Sequence, residues 1–409
     1  MFIKENIAMR TRFIAPVLFL LAHAALSAEG LLVDSMDSES FRLPKEKGKL
    51  ELVEGHAGKA HKLSFEDKCS GVFFIGKSPG KPEWDAAAGF SFWVQGDGSN
   101  HLGGLQFVWN EDYALRYTCA FPIDGADWKK ITVAWRDLVP ALPHPNGRLI
   151  DPKSGNAPSK LGPIWFGKWF FWKDYAAHSY AIDEIRLEPI IELDANEYKP
   201  AGAPLARVLD KLKARQPITI VTMGDSLTDY AHWANKAVNW PTLLRSALKE
   251  KYGVEANIVN PAVGGSLLRH GLIIMPRWLK GAPEPDLVTV CYGFNDHDSK
   301  MTGELFLEAQ RDAVDRIRRA TKGNADVLII TTCPAVPKWD SMADLAAACR
   351  KAAAEKNAGL ADIYAAFHEA GKENKERLFC DDKVHMGKPG HELVAKTVLE
   401  AIENGGKRN

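Results

Sequence analysis

The sequence predicts two halves of different class. An all-β sandwich or jelly roll is expected over residues 29–191, and an α/β domain built on a parallel sheet over residues 205–409. Three observations lead there. Short β-rich runs punctuated by Gly, Pro and Asp fill the first half and hold eight of the twelve Trp, the texture of an antiparallel sandwich. From about residue 205, buried-type strands alternate with amphipathic stretches, which calls for a parallel sheet with helices on both faces. Between them, residues 192–204 are polar or small and include Pro200, Gly202 and Pro204, marking a linker. A length of 409 residues suits two domains, and 46% hydrophobic with 25% charged residues is globular composition.

Taken in order, Lys4, Arg10 and Arg12 precede a run from Phe13 to Ala25 that is apolar except for His23. Small residues follow at Ala24, Ala25, Ser27 and Ala28. This is the layout of a secretory leader over residues 1–28, so the chain is expected to be exported, either periplasmic or secreted. No apolar run reaches the roughly 18–20 residues of a membrane span, and no Cys stands near the processing point, so no stable membrane anchor is expected. The formal net charge is zero, which lacks the basic excess that drives nucleic-acid binding.

In the first half, Gly71–Ile75, Gly89–Val94, Leu105–Trp109, Ile131–Trp135 and Ile164–Trp172 read as strands, and Tyr180–Leu187 as the closing one. Trp93 and Trp135 lie in strand patterns and are expected in the core. Trp165, Trp169 and Trp172 cluster near Tyr175 and are expected to be partly exposed. Gly71–Ser78 satisfies the phosphate-loop spacing Gly-x4-Gly-Lys-Ser, but its interior is strand-like, and Pro79-Gly80-Lys81-Pro82 stands where a helix must begin. ATP binding is therefore rejected. In the second half, strands are expected at Ile218–Met223, Ala256–Val259, Leu287–Tyr292, Val327–Thr332 and Leu360–Ile363, with helices at Pro241–Tyr252, Gly303–Thr321, Ser341–Asn357 and Pro389–Ile402. The six Cys form no Cys-x-x-Cys, and no His-Glu-x-x-His occurs, so no metal site is expected.

Chemistry-bearing residues gather at the predicted strand ends, where open α/β sheets bind ligands. The first strand runs into Gly224-Asp225-Ser226-Leu227. A Ser there exposes its hydroxyl at the crevice but needs a base to attack; alternatively it caps a helix. The second strand ends at Asn260-Pro261-Ala262-Val263-Gly264-Gly265, whose glycines let backbone N–H groups approach a ligand. The third ends at Gly293-Phe294-Asn295-Asp296, offering a side-chain amide. Near the C-terminus, the spacing of Asp382 and His385 lets the carboxylate reach the imidazole and orient it as a base; spacing favours Asp382 over Asp381.

These four blocks, in this order, resemble the SGNH (GDSL) hydrolase superfamily over residues 216–403. The resemblance implies a flavodoxin-like three-layer α/β/α fold and an ester-hydrolysing site with no cofactor. Carried over residue by residue, Ser226 is the nucleophile, His385 the base and Asp382 its partner. The N–H groups of Ser226 and Gly265 and the Asn295 amide form the oxyanion hole. Met386-Gly387 departs from the Pro-Asn that commonly follows the family's His, a difference of loop shape. His232, Trp233, Trp240 and His297 are further substrate-binding candidates, although Trp240 before Pro241 also suits a helix staple.

The first half resembles galactose-binding-like jelly rolls in Phe90–Ser99, Trp128–Val133 and Ile182–Leu187. An exported SGNH domain beside such a module resembles carbohydrate esterases that remove acetyl groups from polysaccharides. An acylated carbohydrate is the expected substrate. A lipid or small-ester hydrolase and a non-catalytic glycan-binding protein are the alternatives. Whether the jelly roll binds sugar or only walls the cleft stays open, as does the oligomeric state. Cys333 follows the fourth strand and Cys380 precedes Asp382, so a disulfide between them would brace the His385 loop.

Overall fold

The computed structural model describes residues 30–38, 41–42, 48–67, 72–75, 80–152, 156–168 and 176–405. The expected leader, Cys69, Trp169, Trp172, Tyr175 and half of the Gly71–Ser78 segment lie outside them.

The first half contains β1 (Leu31–Asp34), β2 (Phe41–Arg42), β3 (Gly48–Glu54), β4 (Lys59–Phe65), β5 (Val72–Ile75), β6 (Gly89–Gly96), β7 (Leu102–Trp109), β8 (Asp112–Pro122), β9 (Lys129–Ala134), β10 (Val139–Pro140), β11 (Leu161–Lys168) and β12 (His178–Glu188). They form two antiparallel sheets, ordered β3-β4-β12-β6-β9, with β1 also on β12, and β10-β8-β7-β11-β5-β2. Alternation along the strands builds one core between the sheets: Phe90, Phe92 and Val94 of β6 meet Leu105 and Phe107 of β7 and Tyr117 of β8. Trp135 is buried as expected, in a 3-10 turn after β9. Trp93 is not: the period of two that buries Phe92 and Val94 turns Trp93 outward, where it is half-buried and stacks on His56 at 3.6 Å. Trp165 is half-buried.

After an irregular stretch at 189–205, the second half contains α1 (Ala206–Lys213), β13 (Thr219–Gly224), α2 (Trp240–Tyr252), β14 (Asn257–Val259), α3 (Leu268–Ile273), α4 (Met275–Leu279), β15 (Leu287–Cys291), α5 (Phe294–Asp298), α6 (Gly303–Ala320), β16 (Asp326–Ile330), α7 (Ala343–Lys356), β17 (Gly359–Ala361), α8 (Ile363–Ala370) and α9 (Lys388–Gly405). The five strands pair in parallel in the order β14-β13-β15-β16-β17. Numbered within this half, that is 2-1-3-4-5, the flavodoxin-like order, and its switch point falls between β13 and β15. Val221, Met223, Val288 and Val290 face α3, α4, α6 and α7 on one side of the sheet. Ile220, Leu287, Leu328 and Ile330 face α1, α2, α8 and α9 on the other. The result is a three-layer α/β/α domain.

Sequence-readable signals end the principal helices. The Asn239 side chain accepts the Thr242 N–H to start α2, and Gly253 at φ 71° stops it. Helices α1, α3, α4, α5 and α8 were not expected. All six residues of α3 are buried, Arg269 and His270 included, so α3 has no polar face and no amphipathic period to detect.

The halves share apolar packing. Leu102, Val139 and Ala141 of the β half join the core around α3, α4 and α6. The expected Cys333–Cys380 bridge is absent: both thiols are free. The buried Cys333 Sγ turns toward the Pro334 carbonyl, and Cys380 Sγ toward that of Met386, so each is already engaged locally.

Candidate active site

Register brings the functional segments to one edge. Gly224 pairs with Cys291, so the turns after β13 and β15 leave the sheet side by side. A Cβ on Gly224 would lie 2.4 Å from Thr228 Oγ1; only glycine lets the chain double back so tightly. The turn is then tied by Thr228 N–H and Asp229 N–H donating to the Asp225 carbonyl at 3.0 and 2.9 Å. Ser226 caps no helix, because turns and a 3-10 segment separate it from α2. Asn235, buried, donates its amide to the carbonyls of Ser226 (2.6 Å) and Asp229 (2.8 Å). Sequence inspection missed this clamp.

His385 arrives on a hairpin closed by the Phe379–Met386 bridge and by Cys380 N–H donating to the His385 carbonyl at 2.7 Å. Asp382 Oδ1 accepts the N–H groups of Val384 and His385, both at 3.0 Å, an Asx-turn that frees Oδ2. His385 Nδ1–H donates to that oxygen at 2.5 Å, and His385 Nε2 accepts from Ser226 Oγ at 3.0 Å. The partner is Asp382, not Asp381. Burial alone would raise the Asp382 carboxyl, but the His385 ring and the two N–H groups outweigh it and hold the carboxyl below its ordinary range.

Gly265 sits at φ 76°, in the left-handed region that favours glycine. A Cβ on Gly264 would lie 3.7 Å from Ser226 Cβ and 3.6 Å from His232 Cδ2, so the space before the nucleophile is kept open by a missing side chain. The Asn295 amide, on the first turn of α5, donates to Asp225 Oδ2 and to the Ser266 carbonyl, both at 3.2 Å. Asp225 is itself buried against the nucleophile turn and accepts the Leu227 N–H at 3.0 Å. Burial pushes its carboxyl up to about 7, and does the same to Asp296. In sequence, Asp225 read only as part of a turn.

The weaker candidates divide. The His232 ring stacks on His385 at 4.2 Å and 28°, and Trp233, 57% exposed, meets His385 edge-on at 5.6 Å. Burial, then the charge of His385, lowers the His232 pKa, and its Nδ1 accepts the Ala234 N–H at 3.4 Å. Its neutral form beside His385 is thereby favoured. Trp240 is not at the surface of the site: it is fully buried, and its indole N–H donates to Thr228 Oγ1 at 3.3 Å, propping the nucleophile turn from below. His297 is half-buried on α5, and its side chain joins none of the contacts described around Ser226. Among the described residues no cluster of three or more His, Cys, Asp or Glu side chains is placed to hold a metal. No helix there is long and apolar enough to cross a membrane.

Residues 222–393 match the model of the GDSL-like Lipase/Acylhydrolase family. No curated protein matches the chain significantly. Among solved structures, an acetylxylan esterase from Geobacillus stearothermophilus is 21% identical, over 45% of this chain and 94% of its own, with a TM-score of 0.38. A lipase/acylhydrolase from Enterococcus faecalis is 21% identical, over 47% of this chain and 98% of its own, with a TM-score of 0.39.

Proposed function

We propose that this protein is a serine esterase that removes acyl groups, acetyl above all, from a carbohydrate. The observation that carries the reading is the continuous hydrogen-bond path from Ser226 Oγ through His385 to Asp382, within the segment that matches an acylhydrolase family. In this mechanism His385 Nε2 takes the Ser226 proton as Oγ attacks the ester carbonyl, and Asp382 stabilises the imidazolium. The oxyanion is held by the N–H groups of Ser226 and Gly265 and by one N–H of the Asn295 amide, which exchanges one of its two resting acceptors, Asp225 Oδ2 and the Ser266 carbonyl, for the developing charge. His385 then gives its proton to the departing sugar hydroxyl. Water, activated by the same imidazole, clears the acyl-enzyme.

Two features support a sugar as the leaving group. The exposed Trp233 indole beside His385 is a flat apolar face of the kind that packs on pyranose rings. The β half, read as a galactose-binding-like jelly roll over residues 29–191, belongs with a carbohydrate substrate, as does export directed by residues 1–28. The test is a panel of acylated substrates. Acetate release from acetylated xylan or a related glycan, lost in Ser226→Ala, is the expected result. Turnover confined to long-chain esters would make the protein a lipid hydrolase, and glycan binding without turnover a binding module.

A further inference from the structure

We propose that the cleft between the two halves is the glycan subsite of this esterase, so that the β half recognises substrate directly; this rests on the esterase reading above. The cleft has a volume of about 970 Å³ and two walls. Asn100, His101 and Asp124, from the ends of β7 and β8, line one; Asp229, Ala231, Val263 and Lys280 line the other. Ligand pockets run to roughly 300–1,000 Å³, so this space far exceeds what an acetyl group needs.

The cleft is lined by chain neighbours of the loops that face Ser226. Val263 is adjacent to Gly264, the residue whose open Cα faces Ser226. Asp229 Oδ2 accepts the Gly264 N–H at 3.0 Å and Oδ1 the Ala231 N–H at 2.8 Å, which fixes the wall where it meets the site. One short loop therefore presents Asp229 and Ala231 to the cleft and His232 and Trp233 to the base.

The lining chemistry narrows the occupant. Lys280 Nζ donates to Asn100 Oδ1 at 2.7 Å and pairs with Asp124 at 3.1 Å, joining the two walls. Asp124 also meets Lys129 at 3.5 Å. Across the lining, Lys280 and Arg277 are offset by Asp124 and Asp229, so the formal charges balance and call for no charged ligand. They leave polar groups, the Asn100 amide nitrogen among them, to exchange hydrogen bonds with hydroxyls. Leu102, Pro122, Val263 and Pro276 add apolar faces to the same lining, and an uncharged oligosaccharide, with hydroxyl edges and apolar C–H faces, fits such a mixed surface. The walls are held by Leu102, Val139 and Ala141 in the core of the α/β half, so the subsite is preorganised.

The test uses the full chain carrying Ser226→Ala and acetyl-free xylo-, manno- and gluco-hexaoses, with affinity measured by calorimetry. Asn100 and Ala231 are exposed, so Asn100→Ala and the cleft-filling Ala231→Trp can be added without disturbing the core. At least one hexaose is expected to bind, and each added change to weaken it by about tenfold or more, the equivalent of one lost anchoring contact. Tyr113→Ala, on the exposed β surface outside the cleft lining, is expected to leave that affinity alone. Absence of binding by every hexaose, binding indifferent to Asn100 and Ala231, or binding lost only with Tyr113 would each overturn the subsite. Hydrolysis of 4-nitrophenyl acetate by the unmodified chain tests the esterase reading separately. Turnover without glycan binding rejects the cleft alone, and binding without turnover of any ester rejects the esterase alone.

Discussion

Ser226 is an unremarkable hydroxyl until two other residues act on it. His385 must hold its proton on Nδ1, and the 2.5 Å bond to Asp382 is what keeps it there. Ser226→Ala is accordingly expected to lower kcat by on the order of 10⁶-fold, and Asp382→Asn by about 10⁴-fold through the wrong tautomer; pre-steady-state release of 4-nitrophenol from 4-nitrophenyl acetate measures both. Removing the amide in Asn295→Ala is expected to cost roughly 10²–10³ in kcat, because its target charge exists only after attack. The buried carboxyls give a pH prediction of definite sign. Burial raises Asp296 to about 7, well above an ordinary carboxyl. Its proton therefore belongs to the folded state: the stability linked to it is complete only below the unfolded value of 3.8, falls steadily as pH rises from there, and is gone above about 7. Asp296→Asn removes this dependence, so the variant's Tm should gain on that of the natural chain between pH 5 and pH 8. A constant difference across that range would reject the assignment.

At the scale of elements, what the sequence disclosed follows burial. Strands β13, β15 and β16 are covered on both faces and read as mostly apolar runs broken only by Thr, Asp or Gly, and helices α2, α6, α7 and α9 are amphipathic or capped. All were legible. Helix α3 was not, since it is buried all round, and Trp240 was misplaced because an aromatic near a nucleophile reads alike as platform or prop. The convergence of Ser226, His385 and Asp382 was legible because each follows a strand or carries its own local spacing. The supports were not: Asp225 and Asn235 act through backbone contacts that only the folded turn creates. Asn235 supplies the test. Its amide is the donor for two carbonyls, at 2.6 and 2.8 Å, and Asp cannot donate in its place. Asn235→Asp is expected to destabilise the chain by about 1–3 kcal/mol per abandoned carbonyl and to lower kcat with it, whereas exposed neighbours such as Lys236 should tolerate change. Urea melts and kcat measured on the same preparations check both.

At the scale of the whole molecule, the question is what makes two differently built halves act as one body. Apolar packing is one part, and polar links between the halves are another, among them those of Lys280 and of Arg316 on α6. Its guanidinium donates to the carbonyls of Arg136 and Asp137, each at 2.8 Å, and of Leu138 at 3.4 Å, while pairing with Asp312 at 2.8 Å. Its side chain is 10% exposed, so Arg316→Ala would leave the buried Asp312 carboxylate without its cation and three carbonyls without their donor. A loss of roughly 3–5 kcal/mol is expected, the scale for breaking a buried pair from one side. Arg316→Lys keeps the charge but not the planar fork that reaches several acceptors at once, so it should recover only part of the loss. Because the halves share a core, the natural chain should melt in one calorimetric transition. Arg316→Ala should melt earlier and in two steps. Since Asn100 and Asp124 stand on the far wall of the cleft, the same change should weaken glycan binding more than turnover of 4-nitrophenyl acetate, which needs only the α/β half. Equal loss of both would mean that Arg316 supports the catalytic half alone and does not set the position of the β half.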